Sequence, residues 1–242
     1  VYITPVHWGK VEKRTWFSLI VMLLTVPLML YLSVVLFHGK QYLAMSLIVV
    51  FFAMVPFFMV FEGRKPQARE IMVIAVLAAI GVAGRAAFYM IPSFKPIAAI
   101  VILTGVSFGG EAGFLVGCMI MMVSNMFFGQ GPWTPWQMFS YGLIGFLAGI
   151  LFQKGILKAR KIPLCIYGFL SVIFIFGGIM NPASILMSYG RITWKSLIAF
   201  YISGIPVDLV QATSTVFFLW ILSHPLLEKL ERIKKKYGLI ER

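Results

Sequence analysis

Charge is what this sequence has least of. Only 12% of its 242 residues are Asp, Glu, Lys or Arg, and only eight of them are acidic. A soluble domain is about one quarter charged. The scarcity excludes a soluble globular chain, and 60% apolar residues with a mean hydropathy of +0.93 indicate an integral membrane protein. Cysteine is nearly absent. Cys118 and Cys165 both lie inside apolar runs, which excludes a disulfide framework and a CxxC metal site. His7, His38 and His224 are scattered near expected helix ends and form no metal-ligand cluster. HExxH, a P-loop and DDxxD are all missing, so neither an enzyme nor a catalytic cofactor is expected. Any use of ATP would require ATPases on other chains.

What the sequence does have is a series of long apolar runs. Residues 16–37, 42–62, 71–91, 112–128, 136–153, 163–180 and 197–222 are each about long enough to span a bilayer, and a shorter run covers 95–108. Eight helices in an all-α membrane protein are expected, because lipid offers backbone groups no partner and nothing alternates like a barrel strand. The run at 16–37 is too long for a signal-peptide core and reads as a retained helix. With eight helices, sixteen of the 21 Lys and Arg fall on one side. Lys40, Lys95, Arg191 and Lys195 fall on the other, and Arg85 lies within a helix. The positive-inside rule then puts both termini in the cytoplasm. The net charge of +13 is thus a topology signal rather than a nucleic-acid surface, with the basic tail beside anionic lipid. The charged stretch Glu62 to Glu70 divides the chain into an extension, 1–66, with two transmembrane helices, and a six-helix membrane domain, 67–242.

The short run predicts a cavity. Lys95 to Phe108 is 14 residues, about 21 Å at 1.5 Å per residue, against a hydrocarbon core of about 30 Å. The turn from Pro92 to Pro96 is therefore expected below the outer surface. Irregular backbone at that depth must be buried in protein or line a wet cavity. A strongly tilted helix is the alternative.

Arg85 and Asp208 are the only base and the only acid well inside spans, at comparable depth. Membrane charges usually face a partner or a cavity, so the two are expected to pair or to share one polar pocket. A purely structural ion pair is the alternative. Gly204, Asp208, Gln211 and Thr215 recur on one helical face, which suits a ligand path or interhelical hydrogen bonding. Ala75, Ala79, Ala83 and Ala87 make a smooth strip that would let another helix approach closely, and Arg85 points about 120° away from it. Gly113/Gly117 and Gly145/Gly149 are GxxxG pairs read as packing. Glu111 is expected to favour the first turn of its helix.

FFGQGPWTPWQMFSYG, Phe127 to Gly142, is an uncharged elbow with Asn125 just before it. Pro132 and Pro135 restrict the backbone, while Trp133 and Trp136 supply flat apolar area. It is expected to be a lid or cavity wall, with an interfacial aromatic belt as the alternative. A second segment, Met180 to Lys195, carries Asn181, Tyr189, Arg191 and Trp194 on the same side.

The alanine strip, PSFKPIAAIVILTGVSFGGEAGFLVG and SNMFFGQGPWTPWQMFSYGLIGFLAG together resemble the substrate-binding S component of an energy-coupling factor (ECF) transporter, and in particular its cobalamin-type members. The resemblance covers about Lys65 to Arg242. It implies capture of a vitamin on the extracytoplasmic side, docking on a transmembrane T component driven by two ATPase subunits, and toppling to release the vitamin inwards. It also implies that Ala75, Ala79 and Ala83 contact the T component, and that ligand binds beneath three loops. Lys95 belongs to the first loop, Gln130, Trp133 and Trp136 to the second, and Asn181, Tyr189 and Arg191 to the third. Arg85, Asn125, Asp208 and Gln211 complete the candidate ligand contacts. A stand-alone channel or secondary transporter, or a lipid-modifying membrane enzyme, are the other classes. The first requires a continuous polar path and the second a catalytic cluster.

Overall fold

The computed structural model describes residues 68–237, together with seven helical positions between 48 and 62. The first expected span, most of the second and the last five residues lie outside the described residues. So does the expected boundary between extension and domain.

Six helices follow one another among the described residues. They are α1 (Ala68–Ala87), α2 (Ile97–Phe108), α3 (Gly110–Phe128), α4 (Thr134–Gln153), α5 (Lys161–Tyr189) and α6 (Trp194–Tyr237). All except α2 are long and apolar enough to cross a membrane. No strand occurs among the described residues, as expected of a chain that must satisfy its backbone in lipid.

The centre of the bundle is α2. Its sequence, IAAIVILTGVSF, is apolar all round, the mark of a helix covered on every side, and every residue except Val106 is buried. Pro96 precedes it, and Gly109 ends it at φ 103° and ψ 168°, a conformation that only glycine adopts without strain. One non-helical residue thus reverses the chain into α3.

Packing is closest among α2, α3 and α4, where glycines bring backbone against backbone. A Cβ built on Gly113 would lie 2.6 Å from the Gly145 carbonyl oxygen, and one on Gly117 would lie 2.6 Å from the Tyr141 carbonyl carbon. The GxxxG pairs are therefore packing devices. Met54, at one of the described positions before α1, is buried beside Cys118, and Phe58 meets the Phe114 ring edge-on.

Two helices run further than their apolar stretches. The segment from Met180, expected to be a loop, stays helical to Tyr189, so only residues 190–193 connect α5 to α6. Pro182 does not end the helix. Lacking an N–H, it leaves the Gly178 carbonyl free, and the Tyr201 hydroxyl of α6 donates to that carbonyl at 3.3 Å. One turn earlier α5 widens into a π turn, Val172–Phe176, where the Gly177 amide donates to the Val172 carbonyl five residues back. Helix α6 continues into the charged tail. Glu228 pairs with Arg232 and Glu231 with Lys235 at i,i+4 spacing. Lys234 turns inward to donate to the Ser107 carbonyl at the end of α2 and lies over the Phe108 ring.

Along α1, Ile74, Leu77, Ala78 and Gly81 face the bundle, while Ala75, Ala79 and Ala83 are exposed.

Candidate functional site

At the end of the bundle where α1 finishes and α2 begins, a cavity of about 130 Å³ opens between the helices. Ser93 and Lys95 of the intervening turn border it, with Ile97 and Ala98 of α2 beside them. The short helix therefore does leave a recess beside the Pro92–Pro96 turn. Ser93 is held at φ 57°, an uncommon backbone state for a residue with a side chain. Burial, and then the neighbouring Arg85 charge, hold the Lys95 ammonium below its ordinary range.

Arg85 enters from the last turn of α1. Its Nη1 donates to Ser124 Oγ and to Asn125 Oδ1, both at 2.6 Å, and its guanidinium lies 5.4 Å from the centre of the Phe128 ring. Asn125 is fully buried. It relays the contact to α4 by donating to Thr134 Oγ1 and to Gln137 Oε1, both at 2.9 Å. Gln137 lines the cavity, and Asn125 stands behind it.

On the far wall Gln211 Nε2 donates to the Tyr141 hydroxyl at 2.8 Å. That leaves the hydroxyl proton free for a ligand. The Tyr141 and Phe176 rings meet at 5.0 Å, and Thr215, one turn along α6 from Gln211, also faces the space. Met121 adds an apolar contact.

Of the residues expected to bind ligand, the structure brings Arg85, Lys95 and Gln211 to the cavity. Arg85 and Asp208 do not pair. Asp208 instead accepts from Asn181 Nδ2 at 3.1 Å, and Asn181 also donates to the Gly177 carbonyl. Gly204 and Gly177 make room for this contact, since a Cβ on Gly177 would lie 2.7 Å from Asp208 Oδ2. The polar stripe of α6 thus divides. Its Gln211 and Thr215 half faces the cavity, and its Gly204 and Asp208 half bonds α5.

The tryptophans do not line the cavity either. Trp133 folds over Gly131, and Trp136 packs against the cluster of Phe114, Cys118 and Phe139. The indole N–H of Trp136 is buried without a partner among the described residues. Gln130 donates to the Met122 carbonyl, and Tyr189 and Arg191 are exposed near the start of α6. None of these three borders the cavity.

Gly105-Val106-Ser107-Phe108-Gly109 fits the G-x-S-x-G pattern, but Ser107 is buried near the end of α2, not on a strand-to-helix turn. The one described histidine, His224, faces Glu228 on its own helix. Among the described residues no group of His, Cys, Asp and Glu could hold a metal ion.

Sequence reasoning missed Gln137, Tyr141 and Phe176 as cavity residues, while Ser93 lies in the turn it marked. The available signal was Gln137 and Tyr141 at i,i+4 spacing inside an otherwise apolar run.

Comparison with known proteins agrees with this architecture. The family profile of the ECF-type riboflavin transporter S component matches residues 65–232. A UPF0397 protein of Vibrio atlanticus is 30% identical over 125 residues, covering 49% of this chain and 68% of that protein. A UPF0397 protein of Aliivibrio salmonicida is 32% identical over 121 residues, 46% of this chain and 64% of its own. One from Aliivibrio fischeri is 35% identical over 89 residues, 35% and 48% of the two chains. No solved structure matches. The profile spans the six-helix bundle with its cavity up to the last turn of α6, and the chain belongs to the ECF-type riboflavin transporter S-component family, the non-enzymatic, substrate-binding membrane subunits of vitamin transporters.

Proposed function

We propose that this subunit captures a compact vitamin with a flat ring in the cavity between Arg85, Lys95, Tyr141 and Gln211, on the extracytoplasmic side of the membrane. The observation that carries the reading is the convergence of polar side chains from α1, α4 and α6 and the turn before α2 on one recess beside the Tyr141 and Phe176 rings. The distribution of Lys and Arg supports the orientation, with both termini in the cytoplasm. The volume of about 130 Å³ favours a compact ligand over a corrinoid, which is several times larger. Flavins, the class named in the family's description, are the first candidates, with the recess seating one part of the molecule rather than the whole.

Transport then requires partners: a T component and two ATPase subunits, with ATP used only by the latter. Below the cavity the bundle is closed by Ile100, Ile102, Leu103 and Leu219, all buried, which speaks against a stand-alone channel. The exposed strip of Ala75, Ala79 and Ala83 is the docking face in this reading. Retention of vitamins by the purified protein, measured by mass spectrometry, tests capture. Uptake by cells with and without the partner subunits tests coupling. Gln211→Ala is expected to abolish retention, and Ala79→Trp to abolish uptake while retention persists. Uptake at full rate without partner subunits would overturn the coupled mechanism.

A further inference from the structure

Resting on the pocket assignment just made, the charges around the cavity point to a further property of its ligand: we propose that it is an anion, with a carboxylate or phosphate group seated between Arg85 and Lys95. Both cations line the recess, and among the described residues no carboxylate does. Among the described residues Glu62, Glu70, Glu111, Glu228 and Glu231 all belong to the opposite end of the bundle, where α1 and α3 start and α6 ends. Asp208 is the one described acid at the cavity's end, and its contact is Asn181 rather than either cation.

The hydrogen bonding of Arg85 points the same way. Nη1 is satisfied by two neutral oxygens, on Ser124 and Asn125. These fix the guanidinium plane but supply no counter-charge. A guanidinium has five N–H donors, and among the described residues only Nη1 has an acceptor. Tyr141 accepts from Gln211 and so keeps its own proton for donation. Gln137 has its carbonyl oxygen occupied by Asn125, leaving its amide N–H groups. The recess is therefore rich in donors, poor in acceptors, and carries two positive charges where water is limited. Partly buried charges of one sign call for an opposite charge with oxygens to accept their protons. A ligand carboxylate or phosphate supplies both. A cationic ligand would add repulsion to an uncompensated site.

The experiment compares vitamins that share a ring and differ in charge. Purified protein in neutral-lipid nanodiscs is titrated with flavin mononucleotide against riboflavin, and with nicotinate against nicotinamide. Thermal unfolding and direct binding are read together. At least one anionic member is expected to bind at least tenfold more tightly than its neutral partner, with affinity falling as salt rises. Lys95→Gln is expected to erase that preference. This variant carries the test because Lys95 sits in a turn, whereas Arg85 also braces α1 on α3. Neutral members binding as tightly as anionic ones, or an unchanged preference in Lys95→Gln, would overturn the charge assignment while leaving the pocket assignment intact. Binding of no member at all would overturn the pocket assignment and the charge assignment with it. Equal protection by inorganic phosphate alone would make the recess a bare anion site and overturn a vitamin anion.

Discussion

Gly145→Ala and Gly178→Ala are the same chemical change in two helices, and the structure assigns them opposite effects. A Cβ at residue 145 would lie 2.5 Å from the Gly113 carbonyl oxygen and 2.7 Å from Val101 Cγ1. Ordinary contact begins near 3.4 Å, so α4 must retreat from α3 by most of an ångström. The obstacle is backbone, and it cannot swing aside. Retreat would also loosen the contacts of Gly117 and Gly149 on the same interface. Overpacking of this kind costs about 1–3 kcal/mol. Alanine recovers about 0.5–1 kcal/mol through its better helix propensity. At Gly178 a Cβ meets nothing within 4 Å, so only the gain applies. The propensity gain is common to both, so the two variants should differ by the overpacking cost, about 1–3 kcal/mol, or about 2–12 °C in Tm for a chain of this length. Thermal unfolding in one detergent reads both, with Gly145→Ala expected below wild type and Gly178→Ala at or above it. Gly145→Ala melting at or above Gly178→Ala would refute the backbone-contact reasoning.

Asn125→Leu removes one acceptor from Arg85 and strands Thr134 and Gln137, so it should cost about 3 kcal/mol; a Tm within 2 °C of wild type would contradict that network. Tyr141→Phe deletes the acceptor of Gln211 and should weaken ligand binding about 5–10-fold, on the order of 1 kcal/mol, without loss of folding; titration of the retained vitamin checks it. Because Arg85 and Asp208 belong to separate networks, Arg85→Ala and Asp208→Ala should combine additively to within about 0.5 kcal/mol, and coupling beyond about 1 kcal/mol in a double-mutant cycle would join them. Ser93→Val should destabilise the turn more than Ser93→Gly, since a β-branched residue tolerates φ 57° poorly; equal melting temperatures would exclude strain there.

The helices of the bundle could be read from the sequence because each apolar run had only one way to satisfy its backbone in lipid. Their ends were less legible. The segment from Met180 is expected to be a loop, and it is Tyr201, a residue of another helix, that satisfies the carbonyl Pro182 leaves free. The last apolar run ends at residue 222, yet the i,i+4 pairs of the charged tail extend α6 to Tyr237. For the cavity, the shortness of α2 and the rarity of membrane charge pointed to Lys95 and Arg85. Tyr141 and Phe176 are ordinary aromatics in apolar runs, and only tertiary packing brings them to one recess. The same ambiguity applies to Trp133 and Trp136, which do not border the cavity. A rigid aromatic elbow is equally suited to covering a ligand and to packing on itself, and Trp133 packs on Gly131.

The π turn in α5 acts as a phase correction. Gly168 and Gly177 both face α6, the first against Leu219 and Thr215, the second against Asp208. Residues nine apart in an unbroken α-helix lie roughly 180° from one another, since each residue advances about 100°. Both could not then point at the same neighbour. The surplus residue in Val172–Phe176 takes back about one such step and turns Gly177 and Asn181 towards α6 instead of the lipid. Closing the turn into regular α-helix with every residue kept would leave each side chain above it intact in sequence but out of register. Phe176 would leave the cavity, and Asn181 would leave Asp208, without either being mutated.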